Sequence, residues 1–174
     1  MRTTALIAFA AAASLTGCGG DKSSGGAVQT ASASPAPAAA AASAPDGRQL
    51  YQRCAVCHQV AGQGIPGTFP PLALSEWAGS ANAALPIRVV LHGLNGPITV
   101  KGQKFNGTMP AFGTGQPMSD ADVAAVLTYV RSSWGNKASA VTTDDVAKER
   151  AATASQSGPW TAAQLAPLLG AGGH

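Results

Sequence analysis

The sequence predicts a small, mainly helical domain set between two low-complexity ends. Three observations say so. Apolar residues recur at helical spacing behind Asp46 and again behind Ser119. Gly- and Pro-rich stretches between these segments read as fixed loops. Ala, Gly, Ser and Pro crowd the ends, so the 174 residues suit one domain with chain to spare. Aromatics make up 5% and charged residues 11%, which leaves a modest protein core. A domain of this kind needs a staple, such as a metal or a covalent cofactor.

Asp46 suits a helix N-cap, and Leu50, Tyr51, Cys54, Cys57 and His58 follow on the helical repeat. Residues 62–72 hold too much Gly and Pro for a helix. A middle helix is expected over 82–92, with Leu85, Val89 and Leu91 partly inward, stopped by Gly93 and Gly96-Pro97. Ile98-Thr99-Val100 and Lys104-Phe105 flank Lys101-Gly102-Gln103 in the manner of a small hairpin. Residues 106–113 read as a second non-helical loop.

The clearest helix opens at Ser119, with Asp122 three places on as an approximate capping box. Val123, Val126, Leu127 and Val130 form its apolar stripe, and Gly135 stops it after Trp134. A short helix is expected over 143–151, and residues 160–169 suit one more amphipathic turn or two.

The first 17 residues read as an export signal: a positive start at Arg2, a short apolar run, then small residues. The run is too short and small-sided for a membrane span. Leu15-Thr16-Gly17-Cys18 resembles the bacterial lipoprotein cleavage box, in which the Cys is lipidated and becomes the mature N-terminus. Residues 18–45 are then the lipidated Cys18 and a disordered linker rich in Ala, Ser, Pro and Gly. As a flexible coil the linker reaches about 30 Å on average and about 90 Å when stretched. The functional domain is assigned to 46–151, and 152–174 to a C-terminal tail.

With Cys18 given to lipid, two cysteines remain, in Cys54-Ala55-Val56-Cys57-His58. C-x-x-C-H is the signature of covalent haem attachment. Each thiol adds across one haem vinyl group, and the next residue turns its imidazole toward the iron. A plain disulfide leaves the adjacent His unexplained. A thioredoxin-like site needs a strand before the motif and a sheet around it. A zinc site needs further ligands, and only the scattered Cys18, His92 and His174 remain.

Met109 is the leading candidate for the second iron ligand, because it is carried by a Gly-rich segment and followed by Pro110. A thioether there favours ferrous iron and raises the potential. Met118, His92 and His174 are the competitors. His92 is also accounted for by its place at a helix C-terminus, and His174 is terminal.

With these residues in view, the chain resembles the bacterial class I cytochromes c, especially the haem domains that serve as subunits or partners of periplasmic dehydrogenases. The resemblance runs from about Asp46 to Arg150. It is carried by the C-x-x-C-H segment, Phe69-Pro70-Pro71-Leu72, Val90-Leu91-His92-Gly93-Leu94, Asn106-Gly107-Thr108-Met109-Pro110, and Thr128-Tyr129-Val130-Arg131 with Trp134-Gly135-Asn136. It implies an all-α fold, the class I cytochrome c fold, with helices and long loops around one covalently bound haem c. It also implies thioethers at Cys54 and Cys57, iron ligation by His58 and Met109, and a Pro71 carbonyl that accepts the His58 ring N–H. The first and last helices of the shared region would cross, with Leu50 or Tyr51 near Tyr129. The linker and the tail have no counterpart in the resemblance.

The expected function is single-electron transfer between redox protein partners, on the dehydrogenase or terminal-oxidase side. The expected place is the periplasm, at a membrane held through lipid, inner or outer. No small-molecule substrate is expected. The alternatives are a haem subunit of a dehydrogenase or oxidase complex, or a five-coordinate haem enzyme or sensor. The formal charge of +3 falls to +2 without Arg2 and near zero with two haem propionates. Without a dense Lys/Arg stripe, a nucleic-acid partner is not expected. Lys101 and Lys104 read as solvated surface charge.

Overall fold

The computed structural model describes residues 44–113 and 117–170. The export signal, Cys18, nearly all of the linker and His174 lie outside the described residues.

The first helix, α1, spans Gly47–His58. Its N-cap is Asp46, whose carboxylate accepts from the backbone N–H groups of Arg48 and Gln49. The helix stops at Gln59, which takes a left-handed φ of 64°. Tyr51, buried, reaches along the helix and donates its hydroxyl to the Gln59 carbonyl at 2.7 Å.

The helix α3, Asp120–Ser132, starts with a complete capping box of Ser119 and Asp122. Val123, Val126, Leu127 and Val130 are buried as one stripe. It packs on α1, where Tyr51 meets Tyr129 and Trp134 at ring-centroid distances of 5.5 and 4.8 Å. The crossing is close because residue 47 is glycine. A Cβ there would run into the Ala125 carbonyl oxygen.

Arg131, on the last turn of α3, is fully buried and donates to carbonyls rather than to a carboxylate. Nε bonds Ser139 at 2.8 Å, and Nη1 bonds Ala78 and Ser80 at 3.1 and 2.8 Å. It ties the loop after residue 73 to the end of α3. Burial pushes its pKa below the usual guanidinium value.

Between these helices lie α2, Ala84–His92, and a two-stranded antiparallel ribbon of β1, Leu94–Val100, and β2, Gln103–Met109. The all-α expectation is therefore approximate. The predicted hairpin is present but longer, and residues 106–109 belong to a strand rather than a loop. Gly96-Pro97 and Asn106-Gly107 read as breakers in the sequence. At residues 96–97 and 106–107 each strand of the ribbon is paired on one side only, and on such an edge these residues are tolerated. The turn at Lys101-Gly102 has both residues at positive φ, 51° and 74°, which matches the right-handed twist of the strands.

Beyond α3 the chain forms α4, Thr143–Ala152, and α5, Ala162–Leu169. Both begin with capping boxes, Thr142 with Asp145 and Thr161 with Gln164. Val146 buries against the α1–α3 core. Leu165 buries with Leu85, Leu94, Ile98, Val100 and Phe105 against the ribbon. Two ion pairs brace α4: Arg88–Glu149 at 2.6 Å and Arg150–Asp120 at 2.7 Å. Among the described residues, no helix is long and apolar enough to cross a membrane.

Candidate haem site

Residues 54, 57 and 58 are three and four apart, so a helix turns all of them to one side. Cys54, Cys57 and His58 accordingly line a single apolar cleft, while Val56 between them is 77% exposed. Trp77 and Val90 supply further wall, as do Leu94, Ile98 and Phe105 of the ribbon and Leu127 and Val130 of α3. The cleft thus lies among α1, α2, the ribbon and α3. It provides the apolar space that a chain poor in aromatics does not fill by itself.

His58 is 7% exposed. Its Nδ1 lies 2.9 Å from the Pro70 carbonyl oxygen, which identifies Nδ1 as the protonated nitrogen. Burial holds its pKa below the ordinary imidazole value, so the ring is neutral at neutral pH. The Nε2 lone pair is then left for a metal.

The acceptor expected for this bond was Pro71, and the structure corrects that. The Leu72 and Ala73 N–H groups both donate to the Gly62 carbonyl, at 2.7 and 2.9 Å, and the Gly64 N–H donates to the His58 carbonyl at 3.0 Å. This pinning turns the Pro70 carbonyl to the ring, while Pro71 contributes to the cleft wall. Gly64 has no room for a side chain, since a Cβ would sit 2.7 and 2.8 Å from the Pro70 carbonyl carbon and oxygen. Sequence reasoning noted the Gly content of this loop but not the role of Gly64.

The Cys54 thiol is pushed up to about 11 by burial. It is neutral at neutral pH. Among the described residues, no group of three or more His, Cys, Asp or Glu is arranged to hold a metal ion. Cys54 and Cys57 are free, and both face the cleft.

Met109 ends β2, half-buried, and lines the same cleft from the ribbon side. Met118, 3% exposed, also lines it. His92 does not. Its Nε2 is 2.7 Å from the Thr153 hydroxyl, and its ring meets Trp160 edge to face at 6.1 Å. Lys101 lies in the exposed hairpin turn and Lys104 next to it, away from the cleft lining.

The family model for cytochrome c matches residues 44–134. The chain belongs to the cytochrome c family. Cytochrome c-552 of Thermus thermophilus is 46% identical over 94 residues, covering 52% of this chain and 70% of that protein. The cytochrome c subunit of a quinone-dependent alcohol dehydrogenase from Gluconacetobacter polyoxogenes is 33% identical over 109 residues, 62% of this chain and 23% of that subunit. The cytochrome c subunit of gluconate 2-dehydrogenase from Pantoea cypripedii is 39% identical over 99 residues, 56% of this chain and 22% of that subunit. The chain therefore spans most of one relative and under a quarter of the others. As a cytochrome c it is a haem-c electron carrier rather than a catalyst. The neutral His58, the paired thiols and the apolar cleft fit a covalently held haem.

Proposed function

We propose that this cytochrome c is a periplasm-facing, monohaem carrier of single electrons between redox proteins, held at a membrane by lipid on Cys18. In this reading Cys54 and Cys57 carry the thioethers, and His58 and Met109 ligate the iron. The observation that carries it is the meeting of the C-x-x-C-H residues and Met109 on one apolar cleft, from different elements.

The haem, when bound, supplies a one-electron ferric/ferrous couple. The chain's residues set the conditions for it. Pro70 fixes the His58 ring and its tautomer and makes Nε2 a better donor. The Met109 thioether favours the ferrous state and raises the potential. The cleft's apolar walls keep water from the metal. Because both ligands sit on backbone held by hydrogen bonds, little moves when the charge changes.

Support for a free carrier is the 70% coverage of cytochrome c-552. The dehydrogenase cytochrome subunits among the relatives support a second reading, a haem subunit of such a complex. The mass of the matured protein in solution separates the two readings.

The test of the ligand pair is the optical spectrum of the oxidised, haem-loaded protein. A weak near-red sulfur-to-iron band that disappears in Met109→Ala supports the reading. A high-spin spectrum, or immediate binding of cyanide or carbon monoxide, overturns it in favour of an open-site enzyme or sensor. Radiolabelled palmitate incorporated by the wild type but not by Cys18→Ser tests the anchor.

A further inference from the structure

The family match ends at residue 134, yet α4 and α5 are packed into the domain. The place where this segment attaches is specific. Trp160 pairs with Leu94 on the outer edge of β1: its N–H donates to the Gly93 carbonyl at 3.0 Å, and its carbonyl accepts from the Asn95 N–H at 2.8 Å. On the inner edge of β1, Leu94 is the register partner of Met109. Trp160, Leu94 and Met109 are therefore successive rungs across one line of the ribbon.

Side chains reinforce this line. Leu165 has no exposed surface and packs with Leu94, Ile98 and Phe105, and Met109 and Trp160 rest against the same cluster. The Ser80 hydroxyl donates to the Leu168 carbonyl at 3.3 Å, closing the far end of α5. On the other side of residue 109, the Arg150 Nη2 donates to the Met118 carbonyl at 3.1 Å. The segment before α5 also borders Met109 directly, since residues 156–159 share a second cleft with Met109 and Pro110.

We infer that residues 142–170 are a positioning device for the sixth iron ligand, with Trp160 and Leu165 as its main positioning residues. This rests on the proposed ligation by Met109. A thioether is a weak, neutral ligand, and it keeps its place only while its backbone is held. The third rung and the Leu165 cluster hold it, and the free energy of docking the segment is coupled to retention of the iron–sulfur bond. An external ligand that displaces Met109 must therefore also strain the segment. By linkage, anything that loosens the segment must favour the external ligand by the same factor.

The experiment is imidazole titration of the full-length, haem-loaded ferric protein, followed optically well below the melting temperature. Leu165→Ala is expected to bind imidazole roughly tenfold more tightly than the wild type, within the usual range of intersite coupling. Val123→Ala, a comparable deletion in the α1–α3 core, is expected to leave that affinity unchanged. A lower melting temperature in Leu165→Ala with unaltered imidazole affinity overturns the inference and leaves the segment a stabiliser only.

Should Leu165→Ala not fold, the wild type supplies the reciprocal measurement. Saturating imidazole should speed hydrogen exchange at the Asn95 and Trp160 amides, and equal exchange with and without imidazole overturns the inference. Met109→Ala separates this failure from that of the ligation reading. If it leaves both spectrum and imidazole affinity as in the wild type, the ligation reading and the inference fall together. If it abolishes the near-red band while Leu165→Ala has no effect, only the inference falls.

Discussion

The Nδ1 of His58 and the carbonyl oxygen of Pro70 are 2.9 Å apart, and this bond is held from behind by Gly64. Gly64→Ala would place a Cβ against the Phe69 carbonyl oxygen and the Pro70 carbonyl, at a φ of 66° that a side chain occupies at a cost of about 1–2 kcal/mol before any clash. The expected outcome is a lower melting temperature together with a higher reduction potential, because an imidazole that loses its acceptor is a poorer donor to ferric iron. Voltammetry beside thermal unfolding checks both. A variant that melts lower at an unchanged potential would show that the Pro70 bond does not tune the ligand.

The two methionines of the cleft should separate cleanly. Met109→Ala is expected to remove the near-red band. Met118→Ala is expected to keep the band and lose about 2–4 kcal/mol of stability, the usual result of truncating a buried methionine. Spectra and urea unfolding of both variants decide. Exchanged phenotypes would make Met118 the ligand.

Arg131 should be irreplaceable by hydrophobic or shorter basic residues. Arg131→Met leaves the carbonyls of Ala78, Ser80 and Ser139 without their shared donor, at a cost of about 3 kcal/mol or more. Arg131→Lys offers a point charge instead of a planar fork and should recover little of the loss. Denaturant midpoints for the two variants provide the comparison, and near-complete rescue by Lys would mean that charge alone matters.

Tyr51 makes the fold sensitive to alkali. Burial, the largest cause, raises its pKa above the ordinary tyrosine value of 10.0, and the neighbouring Tyr129 adds to the shift. The unfolded chain therefore ionises at a pH where the folded chain still holds its proton. Stability attributable to Tyr51 is present below pH 10 and declines as pH rises above it. Tyr51→Phe should flatten that decline and cost about 1–2 kcal/mol at neutral pH through loss of the 2.7 Å bond to Gln59. Unfolding curves at neutral pH and above pH 10 test both parts.

What could be read in the sequence was what is decided locally. The capping residues Asp46 and Ser119 sit beside the turns they cap, and the haem motif depends only on spacing along one helix. What escaped is decided by distant partners. Residues 106–109 are extended because β1 lies beside them, and the sequence offers only Gly and Pro as clues there. The choice of Pro70 over Pro71 depends on how the Gly62 carbonyl is shared between two later amides. The tail's attachment rests on Trp160 and Leu165, two residues in an otherwise plain stretch whose partners lie in the ribbon and α2.

The crossing at Gly47 has a consequence for how such a domain can diverge. The two helices meet with backbone against Cα, although most of the domain's chain runs between them. Lengthening that intervening chain is inexpensive, since each doubling of a flexible loop costs only about 0.6 kcal/mol. The bend at Gly67, with nothing near a side chain placed there, has open space for such growth. A lineage of this protein would accept a handful of inserted residues at Gly67 sooner than one methyl group at position 47.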